Sequence, residues 1–194
     1  MTHSTKLPLF VLGLAFTGLM AAPANAQTAA VTATVDVLNS LTLTTVNNLN
    51  FGQVAAVGDT GNTAAVVVSS AGVDSVSSTG GSAVTAMIDN SAVSAAQITV
   101  ADGADGATLN LDIQNVVDPT DGTDTFTLAG FSTSWNGGAP AAQTAGTPWT
   151  ETFDAATGPN LNTLDIGASI TTIDPSGVYG DNTYNGGFDV VFSY

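Results

Sequence analysis

Short runs of alternating apolar and polar residues recur along most of this chain. The clearest run is 31–37, where Val31, Ala33, Val35 and Val37 alternate with threonine and aspartate. Strict alternation predicts a β-strand with one buried face, because successive side chains of a strand point to opposite sides. The same reasoning predicts further strands at 41–46, 49–54, 64–69, 84–88, 107–113, 125–129, 161–170 and 188–194.

Signals for helices are weak by comparison. Glu, Lys and Arg are the usual exposed helix formers, and beyond residue 26 they are represented by Glu151 alone. The alanine-rich stretch 82–100 could accommodate one helical turn, at 91–96. Many short strands separated by Gly, Asn and Asp predict an all-β sandwich or a partly open barrel.

The first 26 residues differ from the rest of the sequence. Lys6 precedes an apolar segment at 7–20, and Ala24-Asn25-Ala26 has the small-residue pattern of a cleavage site. A retained membrane anchor needs a longer unbroken apolar run. We therefore expect a signal peptide at 1–26, an N-terminal strand within 27–40 and a β-sandwich domain at 41–194.

Removal of the signal peptide would leave a chain without any basic side chain. Lys6 and His3 both lie within it, whereas all 16 acidic residues lie beyond it, and the sequence contains no Cys. Such a polyanion cannot neutralise phosphate, so nucleic acids and anionic membrane surfaces are poor partners. With ion pairs and disulfides excluded, apolar burial and backbone hydrogen bonds must hold the fold together.

This composition also restricts catalysis. Nucleophilic triads and thiolate chemistry need His or Cys, and clamps for anionic substrates need Lys or Arg. A glycosidase-like pair of carboxylates is formally possible, but Glu151 has no recognisable partner motif. We expect a protein that is not an enzyme.

Aspartates crowd around glycine at two places, 102–106 and 118–124. Asp118, Asp121 and Asp124 form the denser group. Carboxylates gathered by a sharp glycine turn are ligands that suit calcium, although the spacing is not that of an EF-hand. Two interpretations stay open at this point: a calcium site, with calcium as the single candidate cofactor, or ordinary Asp-Gly turns.

One long stretch of small residues interrupts the strand pattern. Residues 136–148 are bracketed by Trp135 and Trp149, and we interpret 132–160 as an insertion loop at one end of the sandwich. The tryptophans are expected to pack beneath this loop. Direct stacking of a ligand on the same pair is the alternative.

Several short motifs occur in an order that resembles a known family. They are Leu-Thr-Leu-Thr at 41–44, Leu-Asn-Phe-Gly at 49–52, Leu-Asp-Ile-Gly at 164–167, Pro-Ser-Gly-Val-Tyr-Gly at 175–180 and the segment 187–194. The sequence resembles an uncharacterised family of secreted bacterial β-domains, catalogued as a domain of unknown function. That family is itself similar to spore coat protein U-like and other chaperone-usher pilins.

This resemblance implies an immunoglobulin-like, pilin-like sandwich that is completed by strand exchange. A periplasmic chaperone, and later the N-terminal segment of another subunit, would supply the missing strand. Val31, Ala33, Val35 and Val37 would form the donor strand. The acceptor edge would be formed by Phe188, Val190, Phe192 and Tyr194.

The resemblance also implies partners and a location. The partners would be copies of the chain or related subunits, with a chaperone and an usher, and the location would be the periplasm during transit, then a fimbrium, the cell surface or the medium. The sequence departs from the pilin pattern, since it has no Cys and its residues 181–185 lengthen the link to the last strand. The alternative is therefore a self-contained secreted or surface domain for binding or adhesion, stabilised by calcium if the aspartate site is real.

Overall fold

The structure, a computed structural model, describes residues 41–156, 162–173 and 177–194. The predicted signal peptide and the predicted N-terminal strand at 27–40 lie outside the described residues. Those that are described belong to one compact unit, Val37–Tyr194. Every regular element in the described ranges is a β-strand, so the all-β fold class is confirmed. The same ranges hold no helix that is long and apolar enough to cross a bilayer.

Thirteen strands are found in the described residues. In chain order they are β1 (Thr42–Asn47), β2 (Gln53–Gly58), β3 (Ala64–Val68), β4 (Asp74–Ser78), β5 (Val84–Asp89), β6 (Ala96–Ala101), β7 (Thr108–Thr120), β8 (Phe126–Trp135), β9 (Ala141–Gln143), β10 (Trp149–Thr152), β11 (Thr163–Thr172), β12 (Gly177–Val178) and β13 (Asn185–Ser193).

Seven of these strands form the large sheet, which is antiparallel and has β11 at its centre. β8 pairs along one edge of β11, and β9 pairs with β8. The other edge of β11 is shared: β6 pairs with its first half and β3 with its second half. β1 and β4 continue the sheet outward from β6 and β3, so the large sheet is forked on this side.

A glycine lies where the fork divides. Gly167 falls between the residues of β11 that pair with β6 and those that pair with β3, and it is buried. A Cβ atom at this position would overlap the Val68 carbonyl oxygen and the backbone of Ser69 and Ser70. Only glycine allows this approach of the β3 backbone, because any side chain would push the strands apart.

Two three-stranded sheets complete a sandwich-like arrangement with the large sheet. We call them the β13 sheet, in the order β10-β7-β13, and the β2 sheet, in the order β12-β2-β5. One core contains residues of all three sheets, including Leu111 of β7, Ala56 of β2 and Ile166 of β11. Alternating inward side chains thus bury a shared core, as in two-layer β-proteins.

The predicted insertion loop contains regular structure. Its residues include β9 and β10, which pair with β8 and β7. Asn136 and Gly137 have φ of 52° and 69°, as both central residues of a type I′ hairpin turn require, and Gly138 N–H donates to Trp135 C=O at 2.8 Å. The small residues in this stretch therefore build turns between short strands.

The helical turn that the alanine-rich stretch could accommodate at 91–96 does not form. Asn50 and Ser94 exchange two backbone hydrogen bonds, of 2.9 and 3.1 Å, and β6 begins at Ala96. A long-range backbone pairing thus outweighs the local preference of alanine for helix, which is worth only tenths of a kcal/mol per residue, roughly.

Candidate functional site at the open edge of β13

Strand β13 is paired along one side only within the described part of the chain. It runs antiparallel to β7, with Phe192 opposite Leu111 and Val190 opposite Ile113. No described strand pairs with its other edge. An edge strand presents a row of free N–H and C=O groups, which is a template for pairing with another strand.

The apolar side chains of β13 are incompletely covered. Phe188, Val190 and Phe192 pack against the core but are only half-buried, whereas Leu111 and Ile113 opposite them on β7 are 0% exposed. The rings of Phe188 and Phe131 meet edge to face, with centroids 5.1 Å apart. Apolar surface therefore continues to the open edge, where an added strand could bury it.

The predicted acceptor edge is thus gathered on one strand. Phe188, Val190 and Phe192 lie on the core-facing side of β13. Tyr194 follows directly after the strand and is 45% exposed. The structure brings these four residues together on one edge, and their role as acceptors stays a prediction. The predicted donor residues Val31, Ala33, Val35 and Val37 lie outside the described residues.

A pair of bulges marks the beginning of β13. The register with β7 shifts on both sides of Gly187, and Asn115 of β7 has φ of 50°. Gly186 lies so close to β7 that a Cβ atom would be 2.5 Å from the Val117 carbonyl oxygen. From Asp189 to Ser193 the pairing is regular. A bulge bends a strand or ends its regular pairing, so the regular part of the β13 edge begins just after the two glycines.

These bulges also open a hollow that sequence reasoning missed. It has a volume of about 480 Å³, and it is lined by the two glycines together with Asn115, Val117, Asn185, Phe188 and Asp189. Val117 is 58% exposed there. The adjacent glycines in the sequence are the signal that could have revealed a gap beside the strand, because a bulge often carries glycine.

Asp121 lies in the turn between β7 and β8, and its carboxylate is fully engaged by hydrogen bonds. One oxygen accepts the N–H groups of Asp124 and Thr123, each at 2.8 Å, and the other accepts the Asn182 side-chain amide at 2.8 Å. These bonds favour the ionised form, so the pKa of Asp121 is lower than usual. The carboxylate therefore ties this turn to the segment that leads into β13.

The other two aspartates of the predicted calcium site also accept backbone hydrogen bonds. Asp118 accepts the Leu128 N–H at 2.8 Å, and Asp124 accepts the Gly180 N–H at 3.2 Å. Among the described residues, no group of three or more His, Cys, Asp or Glu is close enough to hold a metal ion. The geometry fits turn-forming aspartates, and a calcium site stays a prediction.

An aromatic cluster positions the same segment. Tyr179 stacks on Phe126 with ring centroids 4.4 Å apart, and its hydroxyl donates to Thr125 C=O at 3.0 Å and accepts the Ile173 N–H at 2.9 Å. Burial, together with the negative charges of Asp121 and Asp124, raises the pKa of Tyr184 to about 12. Both tyrosines are thus neutral structural groups that fix the approach to β13.

The two tryptophans that bracket the predicted loop both pack against the core, as expected. Trp135 also donates its indole N–H to Thr152 C=O at 3.1 Å. Glu151 follows Trp149 on β10 and pairs opposite the fully buried Leu109, and burial raises the pKa of the Glu151 carboxyl. The expected packing is thus observed, and stacking of a ligand on the two tryptophans stays a prediction.

Comparison with known proteins gave one match. No curated protein and no solved structure matches the chain. Residues 41–194 match the sequence model of a family described as Domain of unknown function (DUF4402). The predicted relationship to an uncharacterised domain family is thereby confirmed.

Proposed function

This chain belongs to the DUF4402 family, a domain family of unknown function, and we propose that it is an exported structural subunit of pilin-like, immunoglobulin-like build. In this proposal copies join by strand exchange into a fimbria or another cell-surface assembly. The residues 31–37 of one copy pair along the open edge of β13 in the next copy. A periplasmic chaperone would cover this edge before assembly, and an usher would exchange it.

One observation carries the proposal, namely the apolar edge of β13 with which no described strand pairs. Phe188, Val190 and Phe192 face the core but remain half-exposed. An incoming strand would satisfy the free backbone groups and cover these side chains in one step. Covering a half-exposed Phe or Val side chain stabilises by about 1 kcal/mol, since full burial contributes roughly 1.5–3 kcal/mol.

The proposed donor has the length and pattern that this edge requires. The apolar residues of 31–37 fall at every second position, so all of them would point toward one face. The segment has seven residues, and the regular part of the edge, Asp189–Ser193, followed by Tyr194, is of similar length. The hollow beside Gly186 and Gly187 lies at one end of this edge and could receive a further side chain.

Charge limits how such an assembly is held together. Beyond residue 26 there is no cation, and the donor segment carries one carboxylate, Asp36, at a position that alternates with its valines. Contacts between copies would therefore be backbone hydrogen bonds and apolar burial. We accordingly propose no catalytic role and no nucleic-acid partner.

The absence of cysteine from the sequence makes disulfide trapping a clean test. Thr34 and Val191 alternate with the apolar residues of their strands, so Thr34→Cys and Val191→Cys should leave the apolar faces unchanged. The two variants, prepared separately without the signal peptide and then mixed under oxidation, should form a disulfide between different chains if strands are exchanged. Asp189→Cys and Ser193→Cys extend the test to other registers, because opposite Cβ atoms must come within about 4.5 Å.

The same experiment tests the alternative, which is a self-contained binding domain. In that domain residues 31–37 would pair with β13 of the same chain. A chain that carries both Thr34→Cys and one of the β13 substitutions would then form its disulfide internally and stay monomeric. The control is Thr34→Cys mixed with Ser75→Cys, which lies on β4, an outer strand of the large sheet. Cross-linking to β4 as efficient as that to β13, or none to β13 at any register, would overturn strand exchange.

A further inference from the structure

The sheet that contains β13 has a second edge, which is formed by β10. The strand order is β10-β7-β13, and no strand among the described residues pairs with the outer side of β10. The two edge strands flank the same part of β7, since Trp149 and Phe192 both lie opposite Leu111. A donor strand that pairs with β13 would find the same kind of unpaired backbone groups along β10. The two edges differ, however, in their side chains.

Glu151 is the first difference between the two edges. Alternate side chains of β10 point toward the core, namely Trp149, Glu151 and, directly after the strand, Phe153. Trp149 and Phe153 pack in the core, whereas Glu151 between them carries a carboxylate. Glu151 is half-buried opposite the fully buried Leu109, and this burial raises the pKa of its carboxyl. An inward-pointing charge is one of the means by which an edge strand avoids pairing with another chain.

A strand added to β10 would trap this carboxylate. Glu151 is half-exposed, so its carboxylate keeps contact with water, and a neighbouring strand would remove that water. A buried carboxylate is costly unless a cation or hydrogen-bond donors satisfy it. The chain has no cation beyond residue 26, so another copy could not supply one. The apolar side of the proposed donor, 31–37, consists of valine and alanine and offers no hydrogen-bond donor either.

Trp135 is the second difference between the edges. Phe153 N–H donates to Ala107 C=O at 2.8 Å, on the β7 side of the strand. Because successive residues of a strand direct their backbone groups to opposite sides, those of Thr152 point to the outer side of β10. There the Thr152 C=O accepts the indole N–H of Trp135 at 3.1 Å. A strand that paired with β10 would have to displace this indole.

The β13 edge has no charged side chain on its core-facing side, where Phe188, Val190 and Phe192 lie. We propose that Glu151 and Trp135 close the β10 edge to other chains and so make β13 the accepting edge of this sheet. Glu151 contributes more, since a trapped charge costs more than a displaced neutral hydrogen bond. Closure of β10 does not need strand exchange, whereas the choice of β13 rests on the function proposed above. Each copy would then accept one strand at this sheet, and an assembly would not branch.

The test removes the charge and measures pairing at β10 by disulfide formation. Thr150 is exposed and alternates with Glu151, so Thr150→Cys places a thiol on the outer face of β10. The chain with this substitution and without the signal peptide should form disulfide dimers slowly under mild oxidation. Glu151→Val added to it should raise the rate at least about tenfold, because two β10 edges can then pair without burying carboxylates. Glu151→Gln keeps the shape and should give a smaller rise.

Mixtures of two chains test the donor strand in the same way. Thr34→Cys mixed with Thr150→Cys should cross-link slowly, and Glu151→Val in the second chain should raise the rate. The cross-link between Thr34→Cys and Val191→Cys should not depend on Glu151. Trp135→Phe removes the indole N–H and should raise cross-linking at β10 by less than Glu151→Val does.

Asp112→Asn is the matched control, because it removes one negative charge from the same sheet. Asp112 lies on β7 between the fully buried Leu111 and Ile113, so its side chain points to the opposite face of the sheet from theirs. This substitution should leave the β10 edge closed. Circular dichroism checks that every variant is folded.

Equal rates for the parent, Glu151→Val and Glu151→Gln in folded chains overturn the closure of β10. A rise with Asp112→Asn as large as that with Glu151→Val also overturns it, since net charge alone would then explain the rates. Absence of the cross-link at Val191→Cys overturns strand exchange at β13 and not the closure. In that case a faster reaction of Thr150→Cys in the Glu151→Val chain still supports closure.

Discussion

Strands β11 and β13 contain the same local pattern and yet have opposite environments. Leu164-Asp165-Ile166 in β11 and Phe188-Asp189-Val190 in β13 both place an aspartate between two apolar residues. In β11, strands cover both edges, and Leu164 and Ile166 are 0% exposed. In β13 one edge has no partner among the strands that the structure describes, and no residue of the strand is fully buried. Burial is thus decided by neighbouring strands and not by the local pattern.

The largest expected effect contrasts the buried and the open strand directly. Ile166→Ala should lower the free energy of unfolding by about 2–5 kcal/mol, because it leaves a cavity in a closed region of the core. Val190→Ala removes fewer atoms from a half-exposed site and should cost roughly 1 kcal/mol or less. Urea unfolding gives both values when it is measured on the chain without its signal peptide and with Val35→Asp, which places a carboxylate on the apolar side of the proposed donor strand, at a protein concentration at which this chain is monomeric.

Addition of a synthetic peptide that covers residues 27–40 refines this contrast. If the peptide completes the β13 edge, the cost of Val190→Ala should rise, since the valine is then buried, and the cost of Ile166→Ala should stay the same. Equal costs for the two substitutions without peptide would contradict the difference between the strands.

A smaller effect is expected at two glycines, one in each strand. Gly167→Ala would force a Cβ atom into the backbone of β3 and should cost about 1–3 kcal/mol as the fork in the large sheet is strained. Gly187→Ala meets no atom within 4 Å and should change stability little. Thermal unfolding of both variants compares them, and an unchanged melting temperature for Gly167→Ala would show that the fork can widen.

Local pattern was sufficient to predict many strands but not their surroundings. β1, β3, β5 and β11 were predicted nearly in full, because β-branched residues and alternation act over a few residues. β4 is rich in serine and β12 has two residues, so neither carries a signal of its own. β9 lies among small residues and β10 has only four residues, and both form because β8 and β7 offer edges with which they can pair.

The candidate site, too, could be predicted from the sequence only in part. Phe188, Val190 and Phe192 could be assigned to one face from their spacing, since strand geometry alone determines this. The open edge, the bulges at Gly186 and Gly187 and the hollow depend on how far β7 extends, which the alternation at 107–113 did not reveal. The turn residues Asp121 and Asp124 were noted for their charge, but the Asn182 side chain that donates to Asp121 and the Gly180 N–H that donates to Asp124 come from a distant segment.

The smallest effect concerns the connection that holds β13 in place, and it depends on pH. The pKa of Asp121 is lowered in the folded protein, first by the N–H of Asp124, then by those of Thr123 and the Asn182 side chain. A lowered pKa contributes stability above the unfolded value, about 3.9, and this contribution is lost as pH falls through the folded pKa. Asp121→Asn should therefore lower the melting temperature at pH 7, and the difference from the parent should shrink below about pH 4.

Asp181→Asn is the matched control for this prediction, because it removes one charge from an exposed carboxylate in the same segment. Comparison between variants is needed, since acid also relieves the mutual repulsion of the 16 acidic residues and shifts every melting curve. A difference between Asp121→Asn and Asp181→Asn that stays constant from pH 7 to pH 3 would mean that the hydrogen bonds of Asp121 do not depend on its ionisation. In that case the β7–β8 turn would position β13 through contacts that do not need the ionised Asp121 carboxylate. The open edge of β13 would then keep its geometry in acid.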